Sequence, residues 1–227
     1  MQTTLPYGYA ERGRLDLASN RVALFGLLGA ALALVPATGW TLWQVTAWLR
    51  PAALSAWADL PLIAFPAGGG FIFNLPITWL AGALIALLIT IPLHEAIHGL
   101  CFWLFTRRRP RFGLSLFYAY AAPPADVYLL RNPYLCVTLA PLVLITGVVI
   151  VLIPVAPVAL LPGLLGIALL NTTGAVGDLL VAIWLLRYPA SLRIGDAGDC
   201  ITIYAPIAMN EPPGTNDPRV NAKRRAG

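Results

Sequence analysis

The stretch IPLHEAIHG, residues 91–99, lies inside a long apolar run and contains the pattern H-E-x-x-H. Its histidines, His94 and His98, are four residues apart, so in a helix they share one face where both imidazoles can bind one Zn²⁺. Glu95 follows the first histidine and is placed to act on a water molecule bound to that metal. The stretch therefore predicts a membrane helix with a metal site of hydrolytic type.

Chance is a poor explanation for this pattern. The chain contains two His, both in the motif, and one of its three Glu lies between them. The competing interpretation is two histidines that are simply hydrogen bonded inside a helical bundle.

Composition decides the class of protein. The 227 residues are 59% hydrophobic and 11% charged, with a mean hydropathy of +0.76, which is too apolar for a soluble domain and typical of one polytopic membrane unit. Cys101, Cys136 and Cys200 form no C-x-x-C pair, so we expect free thiols. Cys101 lies three residues after His98, and we interpret it as a small buried hydrophobe in preference to a metal ligand.

Four apolar segments are long enough to cross a bilayer, which predicts an all-α polytopic membrane protein with about four transmembrane helices. The predicted spans are residues 22–49, 77–106, 133–153 and 160–186, within a membrane-embedded core at 22–205. Residues 1–21 are predicted to be a cytosolic N-terminal segment, and residues 206–227 a flexible cytosolic tail.

Short β-hairpin or re-entrant elements are predicted between the spans. Residues 50–76 contain several prolines and a Gly run before Phe71–Phe73, which is typical of either a loop that dips into the bilayer or a plain extracytoplasmic loop. The alternation from Leu114 to Tyr120 predicts a strand or hairpin at the membrane surface. A further hairpin is predicted to turn at Asp196 to Asp199, whose carboxylates we interpret as turn formers and not as ligands.

Basic residues predict the topology. Fourteen of the fifteen Lys and Arg lie before the first span, between the second and third, or after the fourth, and Arg50 is the exception. By the positive-inside rule that side, with both termini, is cytoplasmic, and we expect a bacterial plasma membrane. The run RRRPR at residues 107–111 is interpreted as a topology determinant, so no nucleic-acid partner is expected.

One carboxylate completes the predicted metal site. Outside the motif, Asp178 is the one Asp, Glu, His, Lys or Arg within the four predicted spans. It lies nine residues before Arg187, as His98 lies nine residues before Arg107, so both are roughly 13 Å inside the cytoplasmic boundary. Because an ionisable group in the bilayer marks function by default, we assign Asp178 as the third metal ligand.

Asn171 lies two helical turns from Asp178 on the same stripe. We predict it to be a catalytic residue that stabilises the oxyanion or binds the substrate backbone, with ordinary helix packing as the competing interpretation. Pro92, just before His94, removes a backbone hydrogen bond and is expected to kink or loosen the second span, which would give water a route to the metal.

These features resemble a known family. HEAIHG on a membrane helix, Ala140-Pro141 in a later span, Asn171 and Gly177-Asp178 are similar to the zincin (HExxH) family of integral-membrane metallopeptidases, which is itself site-2-protease-like. The resemblance covers residues 77–205, although the Asn-Pro and Leu-Asp-Gly signature of site-2 proteases is absent. It implies intramembrane zinc proteolysis, with His94, His98 and Asp178 as zinc ligands and Glu95 as the catalytic residue.

The sequence therefore predicts an intramembrane zinc metalloprotease that cleaves membrane-anchored or juxtamembrane peptides, with Zn²⁺ as cofactor and the lipid bilayer as its surroundings. One alternative is a non-catalytic metal-binding membrane sensor or scaffold. Another is a small transporter, against which the lack of an inverted repeat argues. An iron oxygenase with two His and one carboxylate would share the ligands but has no need of Glu95. The substrate and the oligomeric state are left open.

Overall fold

A bundle of apolar helices carries a small antiparallel sheet at one end in the computed structural model, which describes residues 4–16, 21–58, 63–64, 69–70, 72–73, 77–114, 119–198 and 200–207. The helices are α1 (Arg21–Leu49), α2 (Pro51–Ala58), α3 (Ile77–Thr106), α4 (Arg131–Leu152), α5 (Leu161–Gly174) and α6 (Val176–Leu186). The strands are β1 (Tyr9–Asp16), β2 (Ile63–Ala64), β3 (Ile72–Phe73), β4 (Arg111–Leu114), β5 (Ala119–Ala122), β6 (Tyr128–Leu130), β7 (Arg193–Asp196) and β8 (Cys200–Pro206).

Three helices in the described part of the chain, α1, α3 and α4, are long and apolar enough to cross a membrane. Their bounds agree with the predicted spans 22–49, 77–106 and 133–153 to within two residues. Large exposed hydrophobic side chains cover all three helices, as expected where the surrounding solvent is lipid. The assignment of α3 runs unbroken through Pro92, so the helix does not end there.

The fourth predicted span, residues 160–186, is formed by two helices with a bend between them. The helix α5 ends at Gly174, Ala175 adopts φ −74° and ψ 8°, and α6 continues from Val176 after a bend of 43°. The two helices together still qualify as one broken span. Glycines on both sides of Ala175 disfavour an uninterrupted helix. The break places Asp178 in the first turn of α6, where the helix dipole favours a carboxylate.

The main sheet has the strand order β1-β8-β7-β6 and joins three separate parts of the chain. The strand β1 precedes α1, β6 precedes α4, and β7 and β8 follow α6. Because hydrogen-bonded strands share one compartment, the adjoining helix ends lie on the same side of any membrane. The prediction of an all-α class is corrected accordingly: the protein is mostly helical with small antiparallel sheets, and its N-terminal segment supplies a strand of the largest one.

The smaller β elements lie near their predicted positions. The strands β4 and β5 form the surface hairpin, β7 and β8 form the hairpin that turns after Asp196, and β3 pairs with β2. The connection after Arg50 begins with the helix α2, which the sequence analysis does not predict. Phe71, residues 115–118, Asp199 and the predicted tail beyond residue 207 lie outside the described residues.

The core beneath the sheet positions the functional site. Buried side chains of the sheet, including Ile194 and Ile203, contact Phe102 of α3, Val137 of α4 and Leu185 of α6. This packing fixes the ends of α3, α4 and α6 against each other. Farther from the sheet, α3 and α5 approach closely because their contact residues are small; an added Cβ at Gly166 would be 3.3 Å from Cβ of Ala86.

Candidate metal centre

Three side chains from two helices converge on one point. Nε2 of His94 is 3.0 Å from Oδ2 of Asp178, and Nε2 of His98 is 3.5 Å from Oδ1 of the same carboxylate. The two Nε2 atoms are 3.2 Å apart. Adjacent ligand atoms of a tetrahedral Zn²⁺ site are about 3.3 Å apart when each bond is near 2.05 Å. His94, His98 and Asp178 therefore form a group that could hold a metal ion.

The second ring nitrogen of His98 is held by α4. His98 is buried, and its Nδ1 donates a hydrogen bond to the carbonyl oxygen of Val137 at 2.9 Å. Since a carbonyl only accepts hydrogen bonds, the proton of the neutral ring is on Nδ1 and the lone pair is on Nε2. The backbone of α4 thus sets the tautomer that a metal needs.

Pro141 explains why this carbonyl is available. In an uninterrupted helix, the N–H of residue 141 would donate to the carbonyl of residue 137, but proline has no N–H. The Nδ1–H of His98 takes that place. In the sequence analysis Ala140-Pro141 contributes to the resemblance alone, and the structure gives Pro141 a physical role.

Asn171 holds the second ring nitrogen of His94. Oδ1 of Asn171 is 3.0 Å from Nδ1 of His94, and Nδ2 donates to the carbonyl of Pro141 at 3.2 Å and to Oγ1 of Thr146 at 3.1 Å. With its amide nitrogen directed at α4, Asn171 is 1% exposed and presents its oxygen to His94. In this placement the amide nitrogen contacts α4 and the oxygen orients His94; the predicted role of Asn171 as an oxyanion or substrate donor stays a prediction.

The resulting donor set suits a divalent cation. Both Nδ1 atoms donate hydrogen bonds, so both Nε2 atoms present lone pairs to each other and to the carboxylate of Asp178. Such a group of acceptors is unfavourable when buried without a positive charge between them. Two imidazole nitrogens and one carboxylate, each imidazole oriented by an acceptor behind it, match the ligands of catalytic zinc sites.

A cavity of about 110 Å³ adjoins these ligands. Glu95, His98 and Asp178 line it, and so do Tyr134 and Asp196. The half-buried Glu95 is not one of the three converging ligands. A cavity of this size accepts several water molecules. The carboxylate predicted to act on water therefore lines a cavity large enough for water together with two of the candidate metal ligands.

The β4–β5 hairpin roofs this cavity. The ring of Tyr120 fits between two glycines; an added Cβ would be 2.3 Å from it at Gly113 and 2.4 Å from it at Gly198. Gly99, which follows the motif in α3, packs against the ring of Phe112. A Cβ added at Gly99 would be 2.4 Å from that ring. These three glycines thus let the hairpin pack closely against α3 and against the β7–β8 turn.

Tyr134 and Asp196 are cavity residues that the sequence analysis does not identify. The hydroxyl of Tyr134 donates to Oδ2 of Asp196 at 2.7 Å, and the backbone N–H of Gly198 donates to Oδ1 at 2.7 Å. Burial raises the pKa of Asp196, and these hydrogen bonds partly oppose that shift. Asp196 does stabilise the turn as predicted, but it also faces the cavity. Cys101 is partly buried against the core, outside the metal group of the described residues.

Comparison with known proteins agrees with this geometry. Residues 87–193 match the family described as "Putative zincin peptidase". The match supports a family of zincin type. It spans the motif in α3, the β4–β5 hairpin, α4 and both halves of the bent pair, and so includes all three candidate ligands. No curated protein and no solved structure gives a significant match to the chain.

Proposed function

We propose that this protein is an intramembrane zinc metalloendopeptidase that hydrolyses peptide bonds of membrane-anchored or juxtamembrane substrates. The observation that carries the proposal is the convergence of His94, His98 and Asp178 beside a cavity that Glu95 also lines. A structural pair of histidines would not require oriented lone pairs, a third acceptor and an adjoining carboxylate. The zincin match supports peptidase chemistry independently.

Each residue has a separate chemical role in this proposal. His94, His98 and Asp178 would hold the ion, and bound zinc supplies a water of lowered pKa, near about 7, and stabilisation of negative charge on the scissile carbonyl. Glu95 takes the proton from the attacking water and returns it to the leaving amine. The hydrogen bonds at Nδ1 keep both imidazoles in the tautomer that leaves Nε2 free for the ion.

The position of the site supports a substrate in or next to the membrane. His98 lies eight residues before the end of α3 at Thr106, which places it about 12 Å from that end. The exposed apolar surfaces of α1, α3 and α4 favour a membrane location, and the excess of Arg and Lys near the sheet favours the cytoplasmic side for it. We therefore propose cleavage near the cytoplasmic surface, with both termini cytoplasmic.

A transmembrane substrate must unwind before its carbonyl can be attacked, because helical carbonyls are already hydrogen bonded. We propose that the unwound segment adds as a strand to β3 near Phe73 or to the hairpin that begins at Arg111. Proline substitutions at Phe73 and at Leu114 should reduce turnover. Unchanged turnover in both variants would remove strand addition from the proposal and leave the metal chemistry untouched.

The test of the function compares Glu95→Gln with His94→Ala in the full chain. Elemental analysis should find zinc in purified wild type and in Glu95→Gln, and little in His94→Ala. Proteome comparison of expressing cells should show membrane-protein fragments with wild type and their uncut precursors with Glu95→Gln. Glu11→Gln removes an exposed carboxylate of β1 and serves as the matched control. A Glu95→Gln variant that produces the wild-type fragments would reject the proposal.

The same variants separate the enzyme from a metal-binding sensor or scaffold. A sensor needs the ion but not a proton acceptor beside it. It would therefore lose its cellular effect in His94→Ala and keep it in Glu95→Gln. The presence of Glu95 in a water-sized cavity next to the ligands favours the enzyme.

A further inference from the structure

The cavity beside the metal ligands has a second polar region that the proposed hydrolysis does not use. Asp196, Tyr134 and Thr138 belong to it; they are far from the candidate zinc ligands His98 and Asp178 in the chain, except that Asp196 follows Asp178 by 18 residues, but line the same cavity. We infer that this cavity is a substrate side-chain subsite and that Asp196 selects a basic residue, lysine above all, next to the scissile bond. This inference rests on the proposed function and names the substrate class of the same site.

The walls of the cavity suit the stem of a long amine. Besides its polar groups the lining includes the apolar side chains of Phe102, Val137, Val181 and Ile201. A lysine side chain lies along apolar surface with its four methylene groups and places its ammonium group among polar partners. A cavity whose lining combines apolar side chains with a carboxylate is complementary to both parts of that side chain.

The size of the cavity favours lysine over the larger arginine. A protein cavity of about 150 Å³ accommodates benzene, which has six heavy atoms. The present cavity, at about 110 Å³, suits the five heavy atoms of a lysine side chain beyond Cα. The seven heavy atoms of an arginine side chain need a larger volume.

The charges of the cavity also favour a cationic substrate side chain. Glu95, Asp178 and Asp196 contribute up to three negative charges, which exceed the two positive charges of one zinc ion. Asp196 forms no ion pair with the described residues. The positive charge of Arg111 interacts with it electrostatically from a longer distance. Nε of Arg111 is instead hydrogen bonded to the carbonyl of Pro123. A substrate cation would supply the missing positive charge.

The hydrogen bonds that Asp196 already makes leave room for such a ligand. Its Oδ2 accepts from Tyr134 and its Oδ1 from Gly198, one bond to each oxygen. A carboxylate has about four acceptor sites, so both oxygens can still accept from an ammonium group. A purely structural role in the turn would be met equally well by asparagine, whose amide can accept from Gly198 and donate to the tyrosine hydroxyl.

Asp196→Asn therefore separates selectivity from structure. The assay measures kcat/KM of the reconstituted full-length protein on a peptide library that varies the residues flanking the cleaved bond. Wild type should prefer lysine over norleucine, its uncharged analogue of similar length, by about tenfold or more, and Asp196→Asn should reduce that ratio to within about twofold. Asp126→Asn removes an exposed carboxylate that pairs with Arg108, and it should leave the ratio unchanged.

A binding measurement keeps the subsite distinct from the activity. Lysine hydroxamate and norleucine hydroxamate both bind zinc, and their affinities for the zinc-loaded protein need no turnover. A lysine preference that disappears in Asp196→Asn supports the subsite even if no peptide is cleaved, in which case only the proposed peptidase activity fails. Equal affinities in wild type, or a preference that Asp196→Asn leaves intact, would overturn the inference even if peptides are cleaved.

Discussion

Replacing Pro141 by alanine should make the protein more stable and its metal site weaker at the same time. Alanine restores an N–H at residue 141, and that N–H is expected to donate to the carbonyl of Val137, as in any regular helix turn. The same carbonyl now accepts the 2.9 Å hydrogen bond from Nδ1 of His98. The restored backbone bond therefore competes with the one that orients the ligand.

The two effects have opposite signs and comparable magnitudes. Proline inside a helix is up to about 3 kcal/mol less favourable than alanine, so the metal-free protein should gain stability. Loss of a partner behind a metal-binding imidazole typically lowers metal affinity by about 10–100-fold, equivalent to about 1.4–2.8 kcal/mol. His98 is only 8% exposed, so water offers little replacement for the lost acceptor.

Two measurements on Pro141→Ala test these opposite effects on stability and on zinc affinity. The melting temperature of the metal-free Pro141→Ala protein in detergent should rise, and its zinc affinity, measured by competition with a chromophoric chelator, should fall about tenfold or more. Pro36→Ala is the matched control, because Pro36 lies inside α1 and far from the ligands in sequence; it should change stability alone. Zinc affinity equal to wild type in Pro141→Ala would refute the reasoning.

Three further predictions concern Asn171, Gly198 and Asp196. Asn171→Ala removes the acceptor at Nδ1 of His94 and should weaken zinc binding about 10–100-fold in the same chelator competition. Gly198→Ala should lower the unfolding free energy by about 1–3 kcal/mol in chemical denaturation, because Gly198 has φ +101° and an added Cβ would be 2.4 Å from the ring of Tyr120. Asp196→Asn should raise the melting temperature near pH 7 and lose that advantage toward pH 4. Burial raises the pKa of Asp196 in the folded protein above its unfolded value, so the contribution of this carboxyl to wild-type stability is greatest at low pH, where it is protonated, and is lost as the pH rises through the folded pKa. Asparagine stays neutral at every pH and avoids that loss.

Each of these predictions has a control or a contradicting outcome. Asn132→Ala removes an exposed amide that contacts Arg131 and should keep wild-type zinc affinity. Gly147→Ala adds a methyl group in open space and should be tolerated, so an equal loss in both glycine variants would contradict the packing argument. A melting-temperature difference between Asp196→Asn and wild type that is constant from pH 4 to pH 7 would contradict the pKa argument.

The parts of the fold and of the site that could be predicted from the sequence are those that depend on local periodicity and charge. Two histidines on one helical turn are visible in the sequence, and so are apolar runs whose bounds agree with α1, α3 and α4. The depth of Asp178 follows from counting residues to the next basic group. Each of these features depends on neighbours along the chain, and the structure brings Asp178 to 3.0 Å from His94.

The remaining features depend on contacts that no local pattern encodes. The amide of Asn171 is oriented by Pro141 and Thr146, about 25 to 30 residues away. Tyr134 and Asp196 are 62 residues apart and meet only after α4 and the sheet have packed. The strand β1 pairs with residues 184 to 197 positions later, so its own sequence gives little sign of the partner. Pro141 was predictable in principle, because a proline always frees the carbonyl four residues earlier.

The order of strands in the main sheet has a consequence for biosynthesis. β8 lies between β1 and β7, so the N-terminal strand has no neighbour until residues 200–206 have left the ribosome. The three candidate ligands are already translated by then, whereas Asp196 of β7 and Ile201 of β8, which line the cavity, follow all three ligands in the chain. A nascent chain can thus present all three candidate ligands before the cavity beside them is complete.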